Sequence, residues 1–195
     1  MQTLHSATDA AQWLLARGAT NLQTDSRQLR AGEAFVAWPG AAVDGRQFVP
    51  HALNASAAAA LVEARNAEAF NFVETSIAGV QDLKVKAGPI AAQFYGNPSQ
   101  ALALIAVTGT NGKTSTAWWL AQALSLLPGE LAMPCGLIGT LGVGQPPLPH
   151  QVDVGGLALV STGMTTPDPV LLQKTLRRFL DAGLKACAIE VSSIG

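Results

Sequence analysis

The sequence has little charge, and its charges are balanced. Only 13% of the 195 residues are Asp, Glu, Lys or Arg, the formal net charge is −1, and no basic block occurs. This composition gives no electrostatic reason to expect a nucleic acid as partner. Because 49% of the residues are hydrophobic, the chain is far from the composition of disordered proteins, and it is long enough for one large domain or two small ones.

Long apolar runs and the features of a secretory leader are also missing. No stretch of about 18 apolar residues is present, and residues 1–17 lack the charged start and apolar core of a signal peptide. The only cysteines, Cys135 and Cys187, are too far apart for a metal-binding motif. We therefore expect a cytoplasmic protein with two free thiols and no membrane insertion.

A glycine-containing turn between an apolar strand and a helix is the most informative stretch. Residues 103–107 read Ala-Leu-Ile-Ala-Val, which predicts a buried strand of a parallel sheet, and a helix is predicted over 116–127. Between them, glycines allow backbone N–H groups to approach phosphate oxygens, and the helix N-terminus favours an anion. A lysine adds positive charge, and a hydroxyl can hold Mg²⁺. We predict a triphosphate site rather than an ordinary turn with a surface lysine.

This turn is tighter than the generic Walker loop. The generic pattern requires a glycine at the position that Val107 occupies here, whereas the glycines stand at 109 and 112. The residues predicted to bind the phosphates are Gly109, Thr110, Asn111, Gly112, Lys113, Thr114 and Ser115.

A second predicted strand, over 185–191, ends with the carboxylate of Glu190. Ligands of open parallel sheets bind outside the carboxyl ends of the strands, so Glu190 and the Thr114 hydroxyl can lie on the two sides of one Mg²⁺. The alternative is a solvent-exposed carboxylate at a strand end with no such role. Both interpretations stay open from the residues alone.

The rest of the chain predicts an α/β fold in two domains. We expect a small mixed α/β domain over 1–98, followed by the beginning of a doubly wound domain of the phosphate-loop type over 99–195, with about three strands. The predicted helices cover 6–17 (capped by Thr8 or Asp9), 48–56, 81–95 and 170–182, and the predicted strands cover 33–38, 57–63 and 70–75. Residues 136–140 are predicted as a strand edge or loop, and 142–163 as a loop with a small hairpin.

Taken together, these motifs resemble the ATP-dependent Mur ligase family over nearly the whole chain. The resemblance rests on Asp25-Ser26-Arg27, Phe35-Val36-Ala37 with Gly40 and Asp44-Gly45, Phe94-Tyr95 with Pro98-Ser99, residues 108–116, Thr165-Thr166-Pro167, and Glu190-Val191-Ser192-Ser193. The phosphate loop alone also fits folylpolyglutamate synthases, and the flanking motifs favour the ligases that extend UDP-muramoyl peptides.

The resemblance implies a three-domain enzyme of peptidoglycan synthesis that uses ATP and Mg²⁺. It implies the addition of a free amino acid, expected to be meso-diaminopimelate, to the UDP-MurNAc-dipeptide through an acyl phosphate. The implied residues are Lys113 in catalysis; Thr24, Ser26, Ala41, Ala42 and Val43 at the UDP moiety; Thr165, Thr166 and Ser192 at the muramoyl peptide; and Thr114 and Glu190 at Mg²⁺.

Two departures limit this resemblance. Ile194 stands where the family usually has histidine, and the sequence stops at Gly195, before the rest of the family's central domain and its amino-acid-binding domain. We therefore expect a fragment of a longer ligase that does not turn over by itself. The alternatives are another amide ligase of the same superfamily, such as a folylpolyglutamate synthase, and a truncated nucleotide-binding module without catalysis.

Two of the motifs also have purely structural interpretations. Asp25-Ser26-Arg27 is also explained as a polar turn closed by its own side chains. The stretch from Thr165 is also explained as the entry to the following helix, with Thr166 or Asp168 as its cap.

Overall fold

The computed structural model describes residues 1–148, 157–163 and 165–192. Its backbone divides into two compact units, Met1–Gly96 and Asn97–Gly195. The predictions that concern Ser193, Ile194 and residues 149–156 of the predicted loop lie outside the described residues.

The first unit is built on a parallel sheet. Its strands are β1 (Gln2–Leu4), β2 (Leu22–Gln23), β3 (Ala34–Ala37), β4 (Ala59–Glu63) and β5 (Ile77–Val80). Its helices are α1 (Ala7–Ala16), α2 (Val49–Asn54) and α3 (Leu83–Phe94), with single 3-10 turns at Gly45–Phe48 and Ala67–Phe70. The strands lie in the order β1-β5-β4-β3-β2, so β2 and β3 are neighbours whose carboxyl ends meet at one edge.

One face of this sheet packs against α2 through alternate residues of β3 and β4, as the period of two in a strand requires. The cluster comprises Phe35, Ala37, Val49, Ala52, Ala60, Val62 and Ile77. Every residue of β4 is buried, which is typical of a parallel strand covered on both faces. Elsewhere in the unit α1 and α3 contact each other, and α3 contacts β4.

Two local predictions in this unit are wrong. The strand predicted over 70–75 is absent, because the chain forms the 3-10 turn Ala67–Phe70 there and the strand is β5. Helix α1 is capped by Ser6 and not by Thr8 or Asp9. The Ser6 hydroxyl accepts the Asp9 N–H at 3.0 Å, and the Asp9 carboxylate accepts the Ser6 N–H at 3.1 Å. These two bonds form a capping box, so Asp9 supports the cap from the first turn.

The second unit has a mixed sheet. Its strands are β6 (Ala103–Val107), β7 (Cys135–Gly139), β8 (Gly142–Gly144) and β9 (Ala186–Glu190), and its helices are α4 (Pro98–Ala101), α5 (Lys113–Ser125) and α6 (Pro169–Asp181). Among the described residues the strand order is β6-β9-β7-β8. The β6–β9 and β9–β7 pairs are parallel, and β7 with β8 forms an antiparallel hairpin.

Helices α5 and α6 cover opposite faces of β7 and β9. The face toward α5 comprises Ala117, Ala121, Cys135, Leu137, Ala186 and Ala188. The face toward α6 includes Ile138, Leu176, Phe179, Cys187 and Ile189. Residues of each strand alternate between the two faces, so the predicted doubly wound α/β arrangement is confirmed.

The strand that precedes the glycine turn differs from its prediction. Strand β6 was predicted as buried, but Leu104 is 39% exposed and its neighbours Ala103 and Ala106 are also exposed. The reason is that β6 has β9 on one side and no second neighbour among the described residues. The prediction of about three strands is also too low, because four are described: β7, predicted as a strand edge or loop, is a fully buried strand, and β8 lies in the stretch predicted as a loop with a small hairpin.

Both cysteines are free, as predicted, and both are buried. Burial raises the pKa of Cys135 to about 11 and raises the pKa of Cys187 well above its usual range. Among the described residues, no helix has the length and apolar character needed to cross a membrane.

Candidate active site

The glycine turn connects β6 to α5, and its residues from 108 to 112 are exposed. Gly109 has a φ of +145° and Gly112 a φ of +78°, a region that favours glycine. Gly112 is the N-cap of α5 and provides no side-chain cap, so the first N–H groups of the helix can be satisfied by an anion. Lys113 curls back over the turn, where its Nζ donates to the carbonyl oxygen of Gly109 at 2.8 Å.

Glu190 lies at the end of β9 and is fully buried, with 0% exposure. The alternative interpretation of an exposed carboxylate is therefore wrong. Because a buried carboxylate requires hydrogen-bond donors, the residues that donate to Glu190 show which side chains surround it. The Thr114 hydroxyl, in the first turn of α5, donates to Glu190 Oε2 at 2.9 Å. The two residues predicted to hold Mg²⁺ thus lie side by side.

Thr140 is a further member of this site that the sequence analysis missed. Its backbone N–H donates to Glu190 Oε1 at 3.0 Å, and its hydroxyl lies 3.1 Å from Glu190 Oε2. A signal for it was present in the sequence. Thr140 directly follows β7, and a polar residue at the carboxyl end of a strand next to β9 falls at the same edge as Glu190.

The residues predicted to contact the muramoyl peptide lie beside this carboxylate. The Thr165 hydroxyl is 3.1 Å from the Thr140 hydroxyl. The Thr166 hydroxyl donates to the main-chain carbonyl of Glu190 at 3.1 Å and accepts the Ser192 N–H at 3.4 Å. The structure therefore brings Thr165, Thr166 and Ser192 to the same edge of the sheet as the glycine turn.

The same segment is also the entry to α6. Asp168, and not Thr166, is the cap, because Asp168 Oδ1 accepts the N–H groups of Val170 at 2.9 Å and Leu171 at 3.2 Å. The structural interpretation of this motif is thus correct for Asp168, while the Thr165 hydroxyl contacts Thr140 and the Thr166 hydroxyl bonds the Glu190 carbonyl.

A separate cleft of about 490 Å³ lies in the first unit, beyond the carboxyl ends of β2 and β3. It is lined by Thr24, Asp25, Ser26, Arg27, Val36, Ala37, Trp38, Val43, Gly45 and Phe48. Three residues predicted at the UDP moiety, Thr24, Ser26 and Val43, are among them. Ala41 and Ala42, which are exposed in the same loop as Val43, are not.

The polar wall of this cleft is held by an ion pair within one turn. Arg27 donates from Nε and from a terminal nitrogen to the two Asp25 carboxylate oxygens at 2.9 and 2.7 Å. This bidentate bond lowers the pKa of Asp25 to about 2. The motif is therefore a turn closed by its own side chains and also a wall of the cleft.

Arg46 anchors the loop on the other side of the cleft, and the sequence analysis missed it. Its guanidinium makes a bidentate bond to Asp44, at 3.0 and 2.7 Å, which lowers the pKa of that carboxyl. It also donates to the carbonyl oxygens of Glu63 and Arg65, at 3.2 and 2.7 Å. The Arg46 side chain is only 6% exposed, and an arginine is rarely buried to this extent without such partners.

The residues around Glu190 suit Mg²⁺, which shares its ligands with a substrate, better than they suit a metal ion that needs several protein ligands. In the part of the chain that the structure describes, no three His, Cys, Asp or Glu residues come together. Mg²⁺ commonly binds one or two carboxylates together with substrate phosphates. Glu190 and Thr114 offer oxygen ligands beside the turn that is predicted to bind phosphate, so the donor set fits this ion.

Comparisons with known proteins agree with this α/β architecture. The profile of the Mur ligase family, catalytic domain, matches residues 19–106, and that of the Mur ligase middle domain matches 107–195. The chain is 50% identical over 202 residues to UDP-N-acetylmuramoyl-L-alanyl-D-glutamate--2,6-diaminopimelate ligase of Acidovorax sp. (strain JS42), covering 100% of this chain and 38% of the relative. The chain belongs to the Mur ligase family.

Solved structures give the same result for the fold. A structure of UDP-N-acetylmuramoyl-L-alanyl-D-glutamate--2,6-diaminopimelate ligase aligns with a TM-score of 0.63 and 25% identity, over 90% of this chain and 32% of that chain. The MurF ligase from Thermotoga maritima, in complex with ADP, aligns with a TM-score of 0.57 and 20% identity, over 91% and 33%. The chain spans between 32% and 38% of the first three curated relatives it matches.

Proposed function

We propose that this chain is the substrate- and ATP-binding part of a cytoplasmic ligase that extends UDP-MurNAc-L-Ala-D-Glu by one amino acid. The amino acid is expected to be diaminopimelate, in the meso form, because the relatives at 41–50% identity carry 2,6-diaminopimelate in their names. The second unit binds Mg·ATP at the glycine turn, and the first unit binds the uridine nucleotide in its cleft.

The contact between Thr114 and Glu190 carries this proposal. A hydroxyl from the first turn of the helix and a fully buried carboxylate from the neighbouring strand meet at 2.9 Å. Burying a carboxylate is costly, and its hydrogen bonds to Thr114 and Thr140 offset that cost. The Thr114 hydroxyl gives its single proton to Glu190, which leaves the oxygen lone pairs free to face a cation.

The first unit suits a uridine nucleotide by position and by chemistry. Its cleft opens at the carboxyl ends of β2 and β3, where ligands of parallel sheets bind. Thr24 and Ser26 offer neutral donors and acceptors, while Val43 and Phe48 offer apolar surface. This mixture of apolar lining and a few placed polar groups is typical of small-molecule sites.

The chemistry of such a ligase needs positioning and charge neutralisation more than covalent help. The terminal carboxylate of the dipeptide attacks the γ-phosphorus of ATP, so an acyl phosphate forms and ADP leaves. The amine of the added residue then attacks the acyl carbon, phosphate leaves, and the nitrogen loses a proton. Lys113 and the N–H groups of the turn hold the transferring phosphoryl group. Thr114 and Glu190 would hold Mg²⁺, which would supply neutralisation of the phosphate charge.

The muramoyl-peptide end of the substrate is proposed to lie against Thr165, Thr166 and Ser192. These hydroxyls are neutral and suit an oxygen-rich substrate. Thr165 is linked through Thr140 to the Glu190 carboxylate, and Thr166 bonds the Glu190 carbonyl. The reacting carboxylate would thereby meet the γ-phosphate at the edge where β6 and β9 end.

A chimera tests this function. Residues 1–195 are joined to the remainder of the Acidovorax ligase, in place of the segment to which they are 50% identical. We expect phosphate release that requires ATP, UDP-MurNAc-L-Ala-D-Glu and diaminopimelate together. The variant Lys113→Ala should lose at least about 100-fold in kcat, because it removes the cation that meets the transferring phosphate. The chain of 195 residues alone should release no phosphate above background.

The outcomes separate the alternatives. A folded chimera that binds Mg·ADP but releases no phosphate with the muramoyl substrate contradicts the proposed function. Phosphate release with a folyl substrate in place of the muramoyl dipeptide would identify the folylpolyglutamate type of ligase instead. Failure of the wild-type chain to bind either nucleotide would refute both site assignments.

A further inference from the structure

Resting on the proposed function, we infer that Gly139 and Thr140 are positioning residues that hold the Glu190 carboxylate in its metal-facing orientation. This pair, named here the carboxylate holder, lies at the end of β7, the strand next to β9. The holder provides space at Gly139 and hydrogen bonds at Thr140. It also links Glu190 to Thr165, one of the residues proposed to contact the muramoyl peptide.

The space at Gly139 is filled by Glu190 itself. A Cβ atom at this position would lie 2.1 Å from Glu190 Oε1, 2.6 Å from its Cδ and 2.8 Å from its Cγ. All three nearest atoms belong to the same side chain. Gly139 is part of a regular strand, so its backbone conformation would accept alanine. Glycine is needed here because the carboxylate occupies the place of a side chain.

Thr140 then fixes the orientation of that carboxylate with two donors. Its N–H reaches Oε1 at 3.0 Å and its hydroxyl reaches Oε2 at 3.1 Å. A carboxylate held by one donor can rotate about its last bond, whereas donors on both oxygens determine the plane of the group. Thr114 adds a third donor at Oε2 from the opposite element, α5.

The protons of the hydroxyl groups give this network a direction. Each hydroxyl has one proton, and an ionised carboxylate can only accept. Thr140 therefore gives its proton to Glu190, and Thr165 supplies the proton of the 3.1 Å Thr140–Thr165 bond. A substrate group that accepts a hydrogen bond from Thr165 would weaken the hydrogen bond by which Thr165 supports Thr140. Ligands of metals are commonly oriented by such outer partners, whose loss costs about 10–100-fold in metal affinity.

The first test of the holder needs no ligand. The variant Gly139→Ala should lower the thermal unfolding midpoint of the chain by at least about 4 °C, because the new methyl group collides with Glu190. In a chain that carries Glu190→Ala, the colliding atoms are gone, and the same Gly139→Ala change should shift the midpoint by less than roughly 2 °C. Equal shifts in the two backgrounds would overturn the steric part of the inference.

The second test measures the affinity for ADP by calorimetry, with Mg²⁺ and with EDTA. For Thr140→Val we expect about a tenfold loss in the Mg²⁺-dependent gain in affinity, with the affinity in EDTA unchanged. Thr140→Ser keeps the hydroxyl and should restore the gain to within about twofold of the wild type. Thr75→Val, at an exposed position of the first unit, is the matched control for loss of a threonine hydroxyl and should change neither value.

The results also distinguish this inference from the proposed function. If the wild type gains affinity from Mg²⁺ and Thr140→Val gains as much, the holder does not serve the metal and the proposed function stands. If Thr140→Val loses affinity equally with Mg²⁺ and with EDTA, its role is structural and the inference is wrong. If the wild type binds no ADP under either condition, the proposed function and the inference both fail.

Discussion

Arg46 provides the strongest mutational test of the cleft in the first unit. Its guanidinium meets four acceptor oxygens, two on Asp44 and one each on the carbonyls of Glu63 and Arg65. The group also lies over the ring of Phe70, with 4.7 Å from Cζ to the ring centroid. These contacts connect the loop that carries Val43, just before the 3-10 turn Gly45–Phe48, to the end of β4.

The size of the effect follows from what Arg46→Ala leaves behind. Removing one partner of a buried ion pair costs about 3–5 kcal/mol. Asp44 is 32% exposed, so water can reach its carboxylate and reduce that cost, while the Glu63 carbonyl is left buried without its donor. We expect about 3 kcal/mol of lost unfolding free energy. Arg46→Lys should cost about 1–2 kcal/mol, because an ammonium cannot make a bidentate bond to Asp44 and reach both carbonyls.

Urea unfolding measures this change, with Arg177→Ala as a matched control. Arg177 also pairs with an aspartate, Asp181, but on the surface of α6, where such pairs contribute at most about 1 kcal/mol. Uridine nucleotide binding should weaken in Arg46→Ala as the loop that carries Val43 loses its anchor. An Arg46→Ala protein that loses no more stability than Arg177→Ala would refute the reasoning.

Two further predictions follow from shifted pKa values. The pKa of Asp25 is lowered from 3.8 to about 2 by its bond to Arg27. The stability that this pair contributes is therefore present above about pH 4 and is lost as the pH falls toward 2. Thermal unfolding measured from about pH 5 to pH 2 should show this loss of stability, and the variant Asp25→Asn should show a smaller loss. Because burial raises the pKa values of Cys135 and Cys187, neither thiol should react with Ellman's reagent at about pH 8 unless denaturant is added, and rapid reaction of the folded protein would contradict the buried placement.

The sequence predicted the elements whose patterns are local. The apolar run before the glycine turn and the periodic helix over 170–182 both appear in the structure, the latter as α6. Asp168 could be proposed as a cap because a cap acts within a few residues. The two-residue period of β7 and β9 accounts for the helices on both faces of the sheet.

The features that escaped prediction depend on neighbours distant in the chain. Glu190 could be assigned to either of two environments from its position, and only its partners Thr114 and Thr140 show that it is buried. The exposure of β6 follows from strand order, which no local pattern encodes. Arg46 was missed, because its partners include carbonyls at positions 63 and 65, far from it in the chain.

The structure also explains why a glycine is required at position 139, which its sequence context does not indicate. Within 136–140 it reads as one of two glycines of a weak strand, and such glycines commonly mark a close approach of other atoms. Here the approaching groups differ at the two positions. A Cβ atom at Gly136 would lie 2.3 Å from the ring of Phe179, and one at Gly139 would lie 2.1 Å from the Glu190 carboxylate. One glycine supports packing and the other supports the candidate site.

The central claim is that one chain holds a uridine nucleotide in its first unit and an adenine nucleotide in its second. Calorimetry with both ligands tests this claim directly: UDP-MurNAc-L-Ala-D-Glu is titrated into the chain before and after saturation with Mg·ADP. We expect one site for each ligand, with no displacement of one by the other, because the cleft beyond β2 and β3 and the glycine turn share no residues. Competition between the two ligands for a single site, or no binding of the muramoyl compound, would contradict the account.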